Sequence, residues 1–207
     1  ALQNDRITFG SLNNLTKMND AVIELWARVL HANPLSVILI CRSRLVDPET
    51  RLFVLKSFSK VGINEERVLL IWEHPSEGHW VAFNKIDIML DAFPWNAHTT
   101  ACECLWMGVP IVTLKGDRHS ARLCASMLHQ VGLPELIADT SDEFVDIACN
   151  LANNLDVLAD MRKHMREKVR TSPLCDAVTF TRELEKVYRK MWKTWCTNGK
   201  RDASLRL

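Results

Sequence analysis

Residues 86–114 read IDIMLDAFPWNAHTTACECLWMGVPIVTL. The segment opens on an apolar run that stops at an acid, Asp91. A polar loop follows, carrying Pro94, Asn96, His98, Thr99 and Thr100. Next comes a helix-like stretch, and a second apolar run begins after Pro110. An unbroken apolar run of strand length is one that buries both of its faces, as a parallel sheet covered by helices requires. Strand, loop, helix and strand in that order form the repeating unit of such a sheet. The fold therefore turns on whether the unit recurs.

It recurs along the chain. RITFGSL (6–12) has strand character. DAVIELWARVLHANP places Val22, Ile23, Leu25, Trp26, Val29 and Leu30 at helical spacing, with Asp20 as the expected N-cap and Pro34 as the stop. SVILICR is an apolar run of strand length. After it, Asp47 suits an N-cap, Pro48 the first helical position and Glu49 the first turn, and Gly62 suits the end of that helix. RVLLIW predicts a buried strand, SEGHWVAFNK a short helix and IDIMLD a strand. The pattern then predicts a helix over 99–108, a strand over 111–114, a helix over 118–131 and a last short strand in LPELIA. SDEFVDIACNLANN predicts a helix whose start, Ser141, Asp142 and Glu143, suits the N-terminal dipole. Two more helices are expected over 155–170 and 178–195, separated by SPLCD.

The expected class is α/β: a Rossmann-like doubly wound parallel sheet with C-terminal helices. The expected division is a lobe over 1–172, a C-terminal helix over 173–195 and a tail over 196–207. The final helices are expected to pack back on the lobe, with crossing to a second lobe as the alternative.

Composition narrows the function classes. Of 207 residues, 47% are hydrophobic, enough for a sizeable core, and the net charge of +1 argues against a nucleic-acid surface. Seven cysteines at irregular spacing suit reduced, buried thiols, and hence a cytoplasmic protein, or a nucleocytoplasmic one if eukaryotic. No apolar run approaches the roughly 20 residues that span a bilayer, so no membrane partner is expected. The opening, ALQNDRITFG, has no signal-peptide pattern and reads as if cut from something longer.

Doubly wound sheets bind ligands beyond the carboxyl ends of their strands. Three loops at such ends are polar. One holds Ser11, Asn13, Asn14 and Lys17, the second His74, Ser76, Glu77 and His79, and the third His98, Thr99 and Thr100, with Glu103 one turn into the next helix. A helix N-terminus offers unpaired N–H groups and partial positive charge, so Thr99 and Thr100 suit phosphate oxygens. Lys17 can add a full charge. A charge-assisted hydrogen bond contributes roughly 1.5–3 kcal/mol, and the helix terminus about 0.3–1 kcal/mol. Glu103 can accept from a ribose diol. On the residues alone, Thr99 also suits an ordinary N-cap, and His79 an ordinary surface histidine. Glycine-rich dinucleotide and P-loop fingerprints, metal-ligand spacings and a G-x-S-x-G elbow are absent from the sequence.

FGSLNNLTKMND, DIMLDAFPWNAHTT, LWMGVPIVTLKGDRHSARLCASML, GLPELIA and the SPLCD to FTRELEKVYRKMW segment resemble, in order, the C-terminal catalytic lobe of the O-linked N-acetylglucosamine transferase family. That family includes the SPINDLY-type O-fucosyltransferases, and the likeness runs over nearly the whole chain. It implies one lobe of a two-lobed GT-B fold and an inverting transfer from a nucleotide-sugar donor to protein Ser/Thr hydroxyls. It also implies no metal or other cofactor. The partners implied are an N-terminal lobe and a helix-repeat region. Carried over by motif, Asn14 stands where the family has Gln, and Lys17, the catalytic candidate, would contact the diphosphate. His98, Thr99 and Thr100 would lie at the phosphates, Glu103 would bind the ribose, His79 would pack on the base, and backbone near His74 would meet the base edge. Ser76 departs from a family lysine. Glu103 and TACECLWMGVP lean toward the SPINDLY branch, His98 toward the N-acetylglucosamine branch. A uridine nucleotide is expected; a GDP-fucose donor and a non-catalytic nucleotide-binding or interaction module are the alternatives.

Overall fold

A computed structural model describes residues 6–72, 78 and 80–198; His74, Ser76, Glu77 and His79 lie outside the described residues. The strands are β1 (Thr8–Ser11), β2 (Val37–Cys41), β3 (Val68–Ile71), β4 (Ile88–Leu90), β5 (Ile111–Leu114) and β6 (Ile137–Ala138). They lie in the order β3-β2-β1-β4-β5-β6, and every adjacent pair is parallel. β1, β2 and β4 are buried at every position, which explains their unbroken apolar sequence. The order reverses between β1 and β4, where Phe9 pairs Ile38 on one side and Ile88 on the other. Such a reversal opens a crevice at the carboxyl ends of the two strands.

Helices cover both faces. α1 (Asp20–Ala32), α2 (Pro48–Lys60) and a later helix, α6 (Ser141–Asn153), form one layer, with α1 touching both of the others. α4 (Thr99–Trp106), α5 (Leu123–Val131) and α7 (Leu155–Thr171) form the other, in which α4 touches both α5 and α7. α3 (Trp80–Phe83) lies between β3 and β4 in the chain. α1 buries Val22, Ile23, Leu25, Trp26, Val29 and Leu30, the stripe expected from their spacing. Asp47 caps α2 by accepting from Thr50 N, Pro48 takes the first helical position, and Gly62 follows the helix in the left-handed region at φ 79°.

Several boundaries differ from expectation. The N-cap of α1 is Asn19, which accepts from Val22 N; Asp20 is the first helical residue. α6 is capped one residue earlier than its acidic start suggested. Thr140 accepts from Glu143 N, and the Glu143 carboxylate accepts from Asp139 N, a variant of the reciprocal capping box. The helix expected over 118–131 is broken: a 3₁₀ turn, His119–Ala121, precedes α5. Gly116 approaches Ala121 closely there, and Arg122 Nε donates to Gly116 O at 2.8 Å. LPELIA forms a 3₁₀ turn, Pro134–Leu136, and leaves only two residues for β6.

The two C-terminal helices meet the lobe differently. α7 buries Leu158, Met165 and Val169. α8 (Ala177–Asn198) meets the rest of the fold near the 3₁₀ turn Pro173–Cys175 and leaves Val178, Phe180, Val187, Tyr188, Met191, Trp192 and Trp195 exposed. Its apolar residues recur at helical spacing, so the helix is amphipathic with its apolar face uncovered. Among the described residues no helix is long and apolar enough to cross a membrane.

Candidate functional site at the strand-order reversal

Two loops face each other beyond the ends of β1 and β4. In the first, Asn14 accepts from Thr16 N and so caps the 3₁₀ turn Leu15–Lys17. The turn carries Lys17 toward the β4 loop, where its Nζ donates to Asn96 O at 2.8 Å and stands 5.8 Å from the centre of the Trp95 ring. Asn19 adds a second tie between the loops by donating to Phe93 O at 3.0 Å while it caps α1.

The β4 loop is organised around Asp91, which is 1% exposed. Its Oδ1 accepts from Ala92 N at 2.8 Å and Ala97 N at 2.7 Å, closing the loop on itself. Its Oδ2 accepts from Thr113 Oγ1 of β5 at 2.7 Å, and Asn13 Nδ2 approaches Oδ1 at 3.4 Å. Trp26 of α1 donates to the Asp91 carbonyl at 3.1 Å. Within the loop the Phe93–Pro94 peptide is cis, and buried Asn96 donates from its side chain to Ala92 O at 3.0 Å.

The loop delivers the chain to the start of α4. Ala101, Cys104 and Leu105 anchor this helix in the core. Its N-terminus faces outward: His98 and Thr99 are exposed and Thr100 is half-buried. His98 occupies the N-cap position but makes no side-chain capping bond. Glu103 lies half-buried one turn along. The corner thus has an ammonium, two threonine hydroxyls and a helix N-terminus within one loop's length, the inventory that suits an anion.

Electrostatics bear on Lys17 from three directions. Burial lowers its pKa from the ordinary lysine value, the Asp91 carboxylate pushes it back up, and Arg42 at the end of β2 lowers it again. Burial raises the Asp91 carboxyl above the ordinary aspartate value, while its hydrogen bonds from Ala97, Thr113 and Ala92 and the Lys17 charge pull it down.

The sequence-derived candidates divide accordingly. Lys17, His98, Thr99 and Thr100 border the same pair of loops, and Glu103 lies on the helix that leaves them. Asn14 is exposed on the first loop, with its side-chain oxygen engaged as a cap. His74 and His79 lie outside the described residues. Sequence reasoning noted Asp91 only as the acid ending a strand and gave no role to Thr113, Trp95 or Arg42. The available signal was a carboxylate directly after a fully apolar run, together with a threonine inside the next one.

Comparisons with known proteins agree with this architecture. The family model described as glycosyl transferase family 41 matches residues 1–184. A Hordeum vulgare protein described as a probable UDP-N-acetylglucosamine–peptide N-acetylglucosaminyltransferase SPINDLY is 42% identical over 198 residues, 95% of this chain and 21% of that protein. The Caenorhabditis elegans UDP-N-acetylglucosamine–peptide N-acetylglucosaminyltransferase is 29% identical over 194 residues, covering 94% of this chain and 17% of that protein. This chain therefore spans about a fifth of these relatives. Among solved structures, a mutant of the Thermobaculum terrenum O-GlcNAc transferase aligns with a TM-score of 0.87 at 36% identity, over 93% of this chain and 37% of that one. Anabaena HepE in complex with UDP shares the fold, with a TM-score of 0.58 at 14% identity over 90% of this chain and 49% of that one. With that family model matching residues 1–184 of its 207, the chain belongs to glycosyl transferase family 41.

Proposed function

We propose that this chain is the donor-binding lobe of an inverting glycosyltransferase. It moves a sugar, N-acetylglucosamine from UDP-N-acetylglucosamine, to protein serine or threonine hydroxyls. The observation that carries the reading is the seat of Lys17: its ammonium sits on Asn96 O at 2.8 Å, two residues before His98 and the exposed start of α4. An ammonium has three donors, one of which goes to Asn96, and it stands beside the strand-order reversal, the position at which open α/β sheets generally bind their ligands. The names of the barley, worm and Thermobaculum relatives support the same chemistry.

In this reading the acceptor hydroxyl attacks the anomeric carbon, and negative charge grows on the leaving β-phosphate. Lys17 and the hydroxyls of Thr99 and Thr100 donate to that charge. Donors already oriented before the bond breaks are the largest contribution such a lobe can make. Glu103 accepts from the ribose, His79 packs on the base, and backbone near His74 meets its edge. The reading asks for no metal, because the lysine and the helix terminus offset the diphosphate. The acceptor, the second lobe and the helix repeats belong to the part of the protein beyond this chain. α8 docks its uncovered apolar face there.

A second donor is kept as an arm of the test. Identity to plant SPINDLY proteins runs from 38 to 42%, against 29% for the worm protein, and Glu103 leans the same way. Thermal unfolding with UDP, GDP and their sugars separates the two. A ligand at about 100 times its Kd stabilises the native state by about 2.7 kcal/mol, so the cognate nucleotide is expected to raise Tm and the other not to. A response to GDP alone reassigns the donor; a response to neither rejects the reading.

A further inference from the structure

Asp91 touches nothing at the surface, yet it is tied to Lys17 through a single peptide group. Ala97 N donates to Asp91 Oδ1 at 2.7 Å. The carbonyl at the other end of that same peptide, Asn96 O, accepts from Lys17 Nζ at 2.8 Å. An anion at the N–H end and a cation at the oxygen end polarise the group in the same sense, so each charge strengthens the other's hydrogen bond. Thr113 and Ala92 fix the carboxylate from two further directions.

We propose that Asp91 is a positioning residue for Lys17: its buried carboxylate fixes the Asn96–Ala97 peptide on which the ammonium sits, and serves as that ammonium's counter-charge. The role in donor binding rests on the function proposed above; the coupling of the two charges does not. The other groups acting on the pair are Arg42 from the end of β2, which opposes the Lys17 charge, and Cys104 of α4 and Cys124 of α5, both buried thiols whose pKa burial holds well above the ordinary value. Asp91 therefore supplies the attraction that opposes burial and Arg42 at Lys17, though burial remains the larger effect.

Asp91→Asn isolates this role. The amide oxygen can still accept from Ala92 and Ala97, and the Thr113 hydroxyl can accept from the new NH₂ in place of donating. Charge is removed while shape is kept. Competitive acetylation of the 207-residue chain against pH, read by peptide mass spectrometry, gives the titration midpoint of Lys17. In Asp91→Asn this midpoint is expected to move to lower pH. UDP affinity at pH 9 is expected to fall roughly tenfold, the scale of one charge-assisted hydrogen bond. An unmoved Lys17 midpoint overturns the proposal. Thr113→Val separates positioning from general stability: it is expected to lower Tm without moving the Lys17 midpoint, and a shift equal to that of Asp91→Asn overturns the proposal.

Should Asp91→Asn not fold, the reciprocal experiment decides. Coupling is mutual, so Lys17→Met, a change at a half-exposed side chain, is expected to raise the titration midpoint of the Asp91 carboxyl in carbon NMR; an identical midpoint overturns the proposal. A wild-type chain that binds no UDP rejects the donor-site reading alone, because the two midpoints are measured without nucleotide.

Discussion

Gly10 and Ile86 share one volume: a Cβ placed on Gly10, in the middle of β1, would overlap the Ile86 side chain. Ile86 is 1% exposed and stands just before β4, so it has no room to withdraw. The close approach of β1 and β4 at the strand-order reversal depends on that glycine. Gly10→Ala is expected to destabilise the chain by about 1–3 kcal/mol, the usual cost of overpacking a core. Adding Ile86→Ala should recover part of the loss. The double variant is therefore expected to be less destabilised than the sum of the two single ones in urea unfolding. Additive losses would mean that the two residues do not compete for space.

Lys17→Ala is expected to weaken UDP binding by about tenfold to a hundredfold, since a hydrogen bond to a charged group contributes about 1.5–3 kcal/mol. Isothermal calorimetry reads this directly, and unchanged affinity refutes the assignment. The wild type should also show a pH dependence whose sign is fixed. Burial lowers the pKa of Lys17 in the folded chain, so its charge is lost at a lower pH than that of an ordinary lysine. Affinity for UDP is thus expected to be full while Lys17 is protonated and to decline as pH rises through that lowered value. A decline only in the range of ordinary lysines would argue against Lys17. The stability linkage has the opposite sign: a depressed lysine pKa disfavours the folded state while the group is charged, and this cost fades as pH rises through the folded value.

What the sequence revealed and what it withheld follow from the range of the interactions. Apolar runs such as VILIC declare a doubly buried strand locally, and a run of them declares the parallel sheet. The N-cap at Asp47 is equally local, because cap and recipient are three residues apart. The placement of Lys17 is not: Asn96 lies 79 positions away, and only the β1–β4 pairing brings the two loops together. Asp91 was visible as an oddity, an acid at the end of an apolar run. Its role needs Asn13, Ala97 and Thr113, which come from three different segments. The family resemblance named Lys17 and the His98–Thr100 triplet, yet it was silent on the carboxylate beneath them. The break before α5 was hidden for a related reason, since the Gly116–Ala121 approach is a contact within a loop that helical periodicity does not see.

The Thr140 cap supports a smaller prediction. Thr140 accepts from Glu143 N at 3.1 Å, and Glu143 Oε2 accepts from Asp139 N at 2.7 Å. α6 packs on α1 and lies against β4 and β5, so its first turn is part of the layer that covers the reversal. Thr140→Ala is expected to cost about 1 kcal/mol, and Glu143→Gln less, because an amide oxygen can still accept from Asp139 N. Ser141→Ala is expected to cost nearly nothing, although Ser141 was one of the residues that suited the helix start by sequence. Urea midpoints of the three variants give the order, and equal losses for Ser141 and Thr140 would rule out the observed cap.

α8 sets up the last prediction. Its apolar residues, including Val187, Met191, Trp192 and Trp195, are exposed, and Trp192 stacks on Trp195 with ring centres 5.4 Å apart. Contiguous exposed apolar surface on this scale favours association, whereas a helix that buries little contributes little to the stability of the domain beneath it. A chain ending at residue 176 is therefore expected to unfold within about 2–4 °C of the full chain, the shift that ~1 kcal/mol produces in a domain of this size. It is expected to sediment as a monomer at concentrations where the full 207-residue chain self-associates, and to bind UDP with unchanged affinity, since no site residue lies on α8. In a longer protein that contains the second lobe, the same apolar face would be covered, and removing α8 should then lower Tm substantially and leave the truncated protein prone to aggregation. Loss of UDP binding on truncation of the isolated chain would show instead that α8 supports the nucleotide site directly.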